Sequence, residues 1–233
     1  MSTSLQRIEA APDLTETVYQ RLLEAIGSGA LAPGTRVTQE ELAASLNVSR
    51  QPVVQALRML KRDGVAVPAG RRGLVIAPVD PELIGQLYDV RGVLEGLAAR
   101  EAARAHASID PGIIARGRRA VASGRVAAMI DADLAFHMAI YAASGNPLIA
   151  ESAGRHWPHF RRAMGSALHT ASVRATVWDE HQAIVDAINA GDAEAAERHA
   201  REHCEVAGRV LVTRLKEGGR VAPSRRSLSE EAS

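Results

Sequence analysis

The sequence predicts a mainly α protein: an N-terminal winged helix-turn-helix domain followed by an antiparallel six-helix bundle. Three observations carry the prediction. Residues 38–64 hold two capped helix signatures separated by only two residues. Residues 65–79 then break the helical pattern with two short β-branched runs around a Gly-Arg-Arg-Gly turn. From Asp80 onward, apolar residues recur at a helical period through segments punctuated by Asp-Pro, Asn-Pro and Gly-Asp. Aromatic residues are only 3% of the chain, which suits packed helices more than a sheet.

The elements follow in order. Residues 1–12 are polar with a proline and read as a loose arm. Leu14, Val18, Leu22 and Ile26 mark a helix from about Asp13 to Ile26, ended by Gly27-Ser28-Gly29 and a Pro33-Gly34 turn. Thr38 stands three residues before Glu41, a spacing in which each side chain covers the other's free backbone N–H, so a short helix runs from Gln39 to Leu46. Asn47-Val48 is a tight turn. Ser49 is the N-cap of a second helix, with Pro52 in its first turn, where a missing N–H does no harm. Gly64 ends it after Lys61-Arg62, the cationic end that the helix dipole favours.

On that second helix Val53, Leu57 and Leu60 should face the core, while Arg50, Val54, Arg58 and Lys61 form a different stripe. VAVPA and LVIAPV on either side of GRRG read as a two-stranded wing with Arg71, Arg72 and Gly73 at its tip. Between residues 49 and 73 six cations face one acid, Asp63, although the whole chain carries only +1. Such clustering marks a phosphate-binding surface, and two short helices joined by a tight turn are the plan that sets a second helix into the DNA major groove. The plain alternative is a helical hairpin with a solvated charged face.

Pro78-Val79-Asp80-Pro81 is the domain boundary, dividing residues 1–78 from a helical domain at 79–216. Its helices are expected at about 81–106, 111–123, 127–143, 147–168, 173–189 and 192–215. The first turns Leu83, Ile84, Leu87, Val90, Leu94 and Leu97 inward. Residues 217–233 have little to bury and read as a disordered tail. The single cysteine, Cys204, excludes an intrachain disulfide and fits a reducing compartment. No signal-like segment is evident, and no stretch approaches the roughly 20 apolar residues that span a bilayer. The expectation is a cytoplasmic protein that does not engage a membrane.

Asp133 and His137 are four apart and share a helix face among Leu134, Phe136, Met138 and Ile140. Burying them unpaired would be costly. His181 sits beside Ile184 and Val185, and His203 near Val206. One carboxylate and three imidazoles from three helices suit zinc, nickel, cobalt or iron. Spacing alone equally allows four satisfied core or surface residues. His106, His156, His159 and His169 carry no motif and read as surface residues.

EELAASLNVSRQPVVQALRMLKRDGV resembles the winged-helix signature of GntR-type transcriptional regulators, through LA at 42–43, VSR at 48–50, PV at 52–53, AL at 56–57, Leu60, Gly64 and the RRG of the wing. It departs from that pattern at Val54 and Gln55, where the family usually has arginine and glutamate, and at Glu40, where arginine is common. The resemblance implies groove contacts for Arg50 and Gln51. The candidate DNA-binding residues are then Thr38, Ser49, Arg50, Gln51, Val54, Arg58, Arg71, Arg72 and Gly73, with Val54 limited to apolar contact such as a thymine methyl.

DADLAFHMAIYAASGNPLI, DEHQAIVDAINAGDAEAAERHAREH and VRGVLEGLAAREAA resemble the FadR-like branch of the same family. Its helical FCD domain binds a divalent metal in many members. The matching positions are Asp133, His137, His181 and His203, with His199 the alternate for His203. Zinc leads, with nickel, manganese or iron as alternatives. The resemblance further implies a small carboxylic-acid effector at the metal and a homodimer on a pseudo-palindromic DNA operator. Arg91 could hold an effector carboxylate in its guanidinium fork, or pair with Glu95 or Asp89. Two rival functions are a metalloenzyme with a basic N-terminal module and a sensor of the metal alone. Neither a Glu-x-x-His pair nor H-E-x-x-H is present to favour the enzyme.

Overall fold

The structure, a computed structural model, describes residues 14–70, 73–168 and 176–220, and the chain divides after Pro78 into two compact units. The arm, Arg71 and Arg72, the helix start expected near Val173, His169 and the tail beyond Arg220 lie outside the described residues.

In the first unit, α1 (Leu14–Gly27) packs on α3 (Arg50–Arg62), with α2 (Gln39–Leu46) beside it. Val53, Leu57 and Leu60 are buried with Val18, Leu22 and Ile26. Thr38 caps α2 by accepting from the Glu41 N–H at 3.3 Å, but the Glu41 carboxylate takes the Thr38 hydroxyl at 2.7 Å rather than its backbone. Ser49 occupies the N-cap position of α3 with no side-chain cap hydrogen bond, so the expected hydroxyl cap is absent. Asp63 follows α3 and is held by the Tyr19 hydroxyl at 2.7 Å and by Arg62 at 2.8 Å, which offsets an acid at a helix C-terminus.

The wing is the hairpin of β2 (Ala66–Pro68) and β3 (Leu74–Ile76), and a two-residue strand, β1 (Arg36–Val37), pairs antiparallel with the other edge of β3. Gly73, between the wing tip and β3, has φ +113° and would bring a Cβ to 3.3 Å from Arg36 Nε, so glycine is required there.

The second unit holds α4 (Pro81–Arg104), α5 (Gly112–Ala122), α6 (Val126–Ala143), α7 (Pro147–Gly154), α8 (Trp157–Leu168), α9 (Val177–Asn189) and α10 (Ala193–Arg220). Asp80, Asn146 and Asp192 each accept a backbone N–H at a helix start, as short polar side chains there should. Among the described residues seven helices replace the expected six, because the segment expected from Pro147 to Leu168 breaks at Arg155-His156. Pro158 has no N–H to give the Gly154 carbonyl, so one helix cannot run through both. Helix α10 continues to Arg220, five residues past the expected end, and so takes in the start of the supposed tail.

Helices α4 and α10 run antiparallel in close contact. Gly92 lies against Cys204, and Arg100 pairs with Glu197 at 3.1 Å. That face of α4 is made of Gly92, Gly96, Ala99 and Ala103, so Leu83 and Val90, expected inside, are exposed. Helix α6 is long and apolar enough, by length and composition alone, to cross a membrane, contrary to expectation. It packs on α4, α5 and α8 and carries Asp133 and His137.

Candidate functional site

Two places carry chemistry, one in each unit. On the first, α3 exposes Arg50, Gln51, Arg58 and Lys61, with Ser49 exposed at its start and Val54 half-buried between them. Thr38 is half-buried in its capping role, and Gly73 is half-buried next to the tip of the wing. Arg50 pairs with Glu40 across the turn, Nη1 to Oε1 at 3.4 Å, with both side chains largely exposed. The cations on this face are therefore free to reorient toward phosphates or base edges.

The second is deep in the helical unit. Helix α6 brings Asp133 and His137, α9 brings His181, and α10 brings His203. All three histidines are buried, and each offers a ring nitrogen within 4.8 Å of the other two. His181 Nε2 is 3.1 Å from His203 Nε2. Asp133 Oδ1 is 3.7 Å from His137 Nε2 and 3.8 Å from His181 Nε2. Donor atoms about 2.1 Å from one tetrahedral ion stand roughly 3.4 Å apart, so these spacings fit a single divalent cation. The Nδ1 atom of His181 has no hydrogen-bond partner. His199 stays outside the cluster, and Cys204 instead packs toward α4 against Gly92.

Carboxylates stand against the other ring nitrogens of two of these histidines. His203 Nδ1 is hydrogen-bonded to Glu180 Oε2 at 2.9 Å, and His137 Nδ1 lies 2.7 Å from Glu95 Oε1 at ion-pair distance but without hydrogen-bond geometry. Such outer partners fix a ring's orientation and raise its basicity toward a metal. Glu95 Oε1 also accepts from the Tyr141 hydroxyl at 2.5 Å and from Arg91 Nε at 3.2 Å. Arg91 thus pairs with Glu95, one of the two partners foreseen for it. Its Nη2 is nevertheless buried without a hydrogen-bond partner, 3.9 Å from Asp133 Oδ2. Its guanidinium lies over the rings of Trp157, Phe160 and Tyr88, which helps hold a buried cation.

Burial opposes ionisation of Glu95, yet His137, Arg91 and Tyr141 outweigh it and hold its pKa down at about 2. Asp133 is likewise buried, and His137, His181 and Arg91 push it below the usual carboxylate range. Burial, then His203, drives His181 well below the ordinary histidine value. Burial lowers His203 against the opposing bond to Glu180. His137 moves the other way: burial and Arg91 lower it, but Glu95 and Asp133 prevail and raise it. Near neutral pH the pair His181 and His203 is neutral, as metal ligands must be.

A cavity of about 110 Å³ opens beside this cluster, with Arg91, Asp133 and His203 at its polar end. Trp178 lines it and reaches its position because Gly117 on α5 leaves room. A Cβ there would meet the indole at 2.0 Å.

Glu180, Tyr141 and Trp178 were not foreseen as site residues. Glu180 had a signal, its place directly before His181; Tyr141 and Trp178 had none, because their roles depend on contacts between distant helices. His156 and His159, expected at the surface, are half-buried, while His106 is exposed.

Residues 14–76 match the family described as "Bacterial regulatory proteins, gntR family", and residues 86–206 match the FCD domain. The chain is 30% identical over 200 residues to the "Probable D-xylose utilization operon transcriptional repressor" of Paenarthrobacter nicotinovorans, covering 83% of this chain and 86% of that one. It is 29% identical over 191 residues to an HTH-type transcriptional regulator of Streptomyces ambofaciens, covering 80% of each. Among solved structures, E. coli McbR/YncC superposes with a TM-score of 0.74 at 21% identity, covering 87% of this chain and 99% of that one. A protein of Rhodococcus sp. RHA1 assigned as a GntR regulator gives 0.71 at 24%, with the same coverage. At these identities the two structures bear on the fold alone.

Proposed function

Because the chain belongs to the GntR family of bacterial transcriptional regulators and carries an FCD domain, we propose that a small carboxylic acid, bound at a divalent metal in the helical unit, sets its affinity for DNA. The protein is a regulator and not an enzyme. As a homodimer it presents two α3 helices to a pseudo-palindromic operator, half-sites about one helical turn apart. Arg50 and Gln51 reach base edges, Val54 offers apolar contact, and Ser49 and Thr38 border the groove. Arg58 with Arg71, Arg72 and Gly73 of the wing approaches the phosphates. A cytoplasmic location follows from this role.

The convergence of His137, His181 and His203 within 4.8 Å is the observation that supports the regulatory half of this reading. Asp133 completes the donor set, and zinc suits it best, with nickel, manganese or iron as alternatives. A cation held there supplies open coordination positions for an oxygen ligand. Arg91, with Nη2 unpartnered, is the group that would take a carboxylate oxygen beside it. The adjoining cavity favours an organic effector over a response to metal alone.

The effector shifts DNA binding only as far as its affinities for the two operator states differ. The test is an operator titration by fluorescence anisotropy, with metal-loaded protein, with and without a panel of carboxylic acids. Operator affinity that responds to metal but to none of the acids would leave only the metal-sensor reading.

A further inference from the structure

The cavity beside the histidines is chemically one-sided. Its polar end is Arg91, Asp133 and His203, and Arg91 is 3% exposed with an unpartnered Nη2. The rest of its wall is largely apolar, including Met129, Ile130, Met164, Trp178 and Leu211. Among the described residues, no serine, threonine, asparagine or glutamine lines it. The remaining polar groups are the Tyr88 hydroxyl, already met by Arg91 Nη1 at 3.5 Å, the indole nitrogen of Trp178, and Arg214. Arg214 has no carboxylate partner among the described residues. Its charge adds to the positive potential that draws an anion.

We infer that the occupant is a monocarboxylic acid with an apolar body about the size of one six-membered ring, branched aliphatic or aromatic. This rests on the carboxylate reading above and adds what lies behind the carboxylate. The size follows from the volume: about 110 Å³ is of the order of the roughly 150 Å³ that takes up benzene. The polarity follows from the wall. A hydroxyl buried against Met129, Ile130 and Leu211 loses its water and gains no partner, about a tenfold loss of affinity for each. The same surface that favours an apolar body therefore weakens binding of a sugar acid or a tricarboxylic acid relative to it.

Zinc-loaded full-length protein is titrated calorimetrically with acetate, isovalerate, benzoate, gluconate and citrate. Isovalerate and benzoate bind at least about tenfold more tightly than acetate, because they bury several more carbons. Gluconate binds no more tightly than acetate. Gluconate or citrate binding more tightly than benzoate would overturn the inference while leaving the carboxylate reading intact. Binding of none of the five, acetate included, would overturn both. Met164→Gln keeps the side chain's length and places an amide in the wall. It lowers the benzoate-to-acetate affinity ratio several-fold in protein whose melting curve shows it folded. An unchanged ratio would remove the apolar wall from the account.

Discussion

Glu95 on α4 and His137 on α6 meet through Oε1 and Nδ1 at 2.7 Å, and the same carboxylate oxygen takes the Tyr141 hydroxyl and Arg91 Nε. One buried acid thus lies against the ring of His137, a proposed metal ligand, and holds Arg91, the proposed effector contact. Glu95→Gln keeps the shape and removes the charge. It should lower zinc affinity roughly 10–100-fold, as loss of an outer-layer partner does. Competition against a chromophoric chelator measures this, and an unchanged dissociation constant would exclude Glu95 from supporting the site.

His181 has the most buried ring of the cluster and lies 3.1 Å from His203. A ligand that binds only the native state stabilises it, by about 2.7 kcal/mol at a hundred times its dissociation constant. For a chain of this size that corresponds to a rise in Tm of about 5–10 °C. Zinc should produce such a shift in the wild type and none in His181→Ala, whose bound metal, measured by mass spectrometry, should also fall. A variant that retains full metal content would remove His181 from the ligand set.

Signals written into neighbouring residues were legible in the sequence, and those that depend on distant partners were not. Asp80-Pro81, Asn146-Pro147 and Asp192 announced helix starts because a cap acts within one turn. The break between α7 and α8 had local causes, Gly154 and Pro158, but the apolar pattern on both sides masked them. Strand β1 is two residues long and carries no period at all. Leu83 and Val90 face outward because α10 covers the small-residue side of α4, a choice made between helices more than a hundred residues apart. Asp133, His137, His181 and His203 could be named because they fall at the metal-binding positions of the family that the sequence resembles, whereas their spacing alone did not single them out. The convergence of three ring nitrogens, and the roles of Glu180 and Tyr141 around them, required the fold.

Metal binding should depend on pH through His137. In the metal-free protein its pKa is raised, so its pairing with Glu95 and Asp133 stabilises the fold fully below the ordinary histidine value, and that contribution is lost as pH rises through the folded value. His181 and His203 are lowered, so their contribution is present above the ordinary value and is lost as pH falls through the folded values. The two effects oppose each other in the metal-free protein. A metal needs all three rings unprotonated, so loading expels the His137 proton where that ring is protonated, and affinity should rise with pH until its raised folded value is passed. Calorimetry at pH 7 in two buffers of different ionisation enthalpy should report net proton release on zinc binding. Equal heats in both buffers would contradict the assignment.

The DNA face offers a separation of roles between Arg50 and Arg58. Arg50 stands at the N-terminal end of α3, exposed and tied only to Glu40 at 3.4 Å. Helices of this kind reach base edges from that end, and a bidentate arginine–guanine pair discriminates by about 1–3 kcal/mol. Arg58 lies two turns further on, exposed beside Gln55, and is proposed above as a phosphate contact. Arg50→Ala should therefore relax specificity at one base pair of each half-site, costing roughly tenfold or more on the operator and little on random DNA. Arg58→Ala should weaken both alike and reduce the salt dependence of binding by about one counterion per subunit. Anisotropy titrations at several salt concentrations, on operator and on scrambled duplex, separate the two. If Arg50→Ala lowered affinity equally for both duplexes, the residue would be a phosphate contact and the reading end of α3 would have to lie elsewhere.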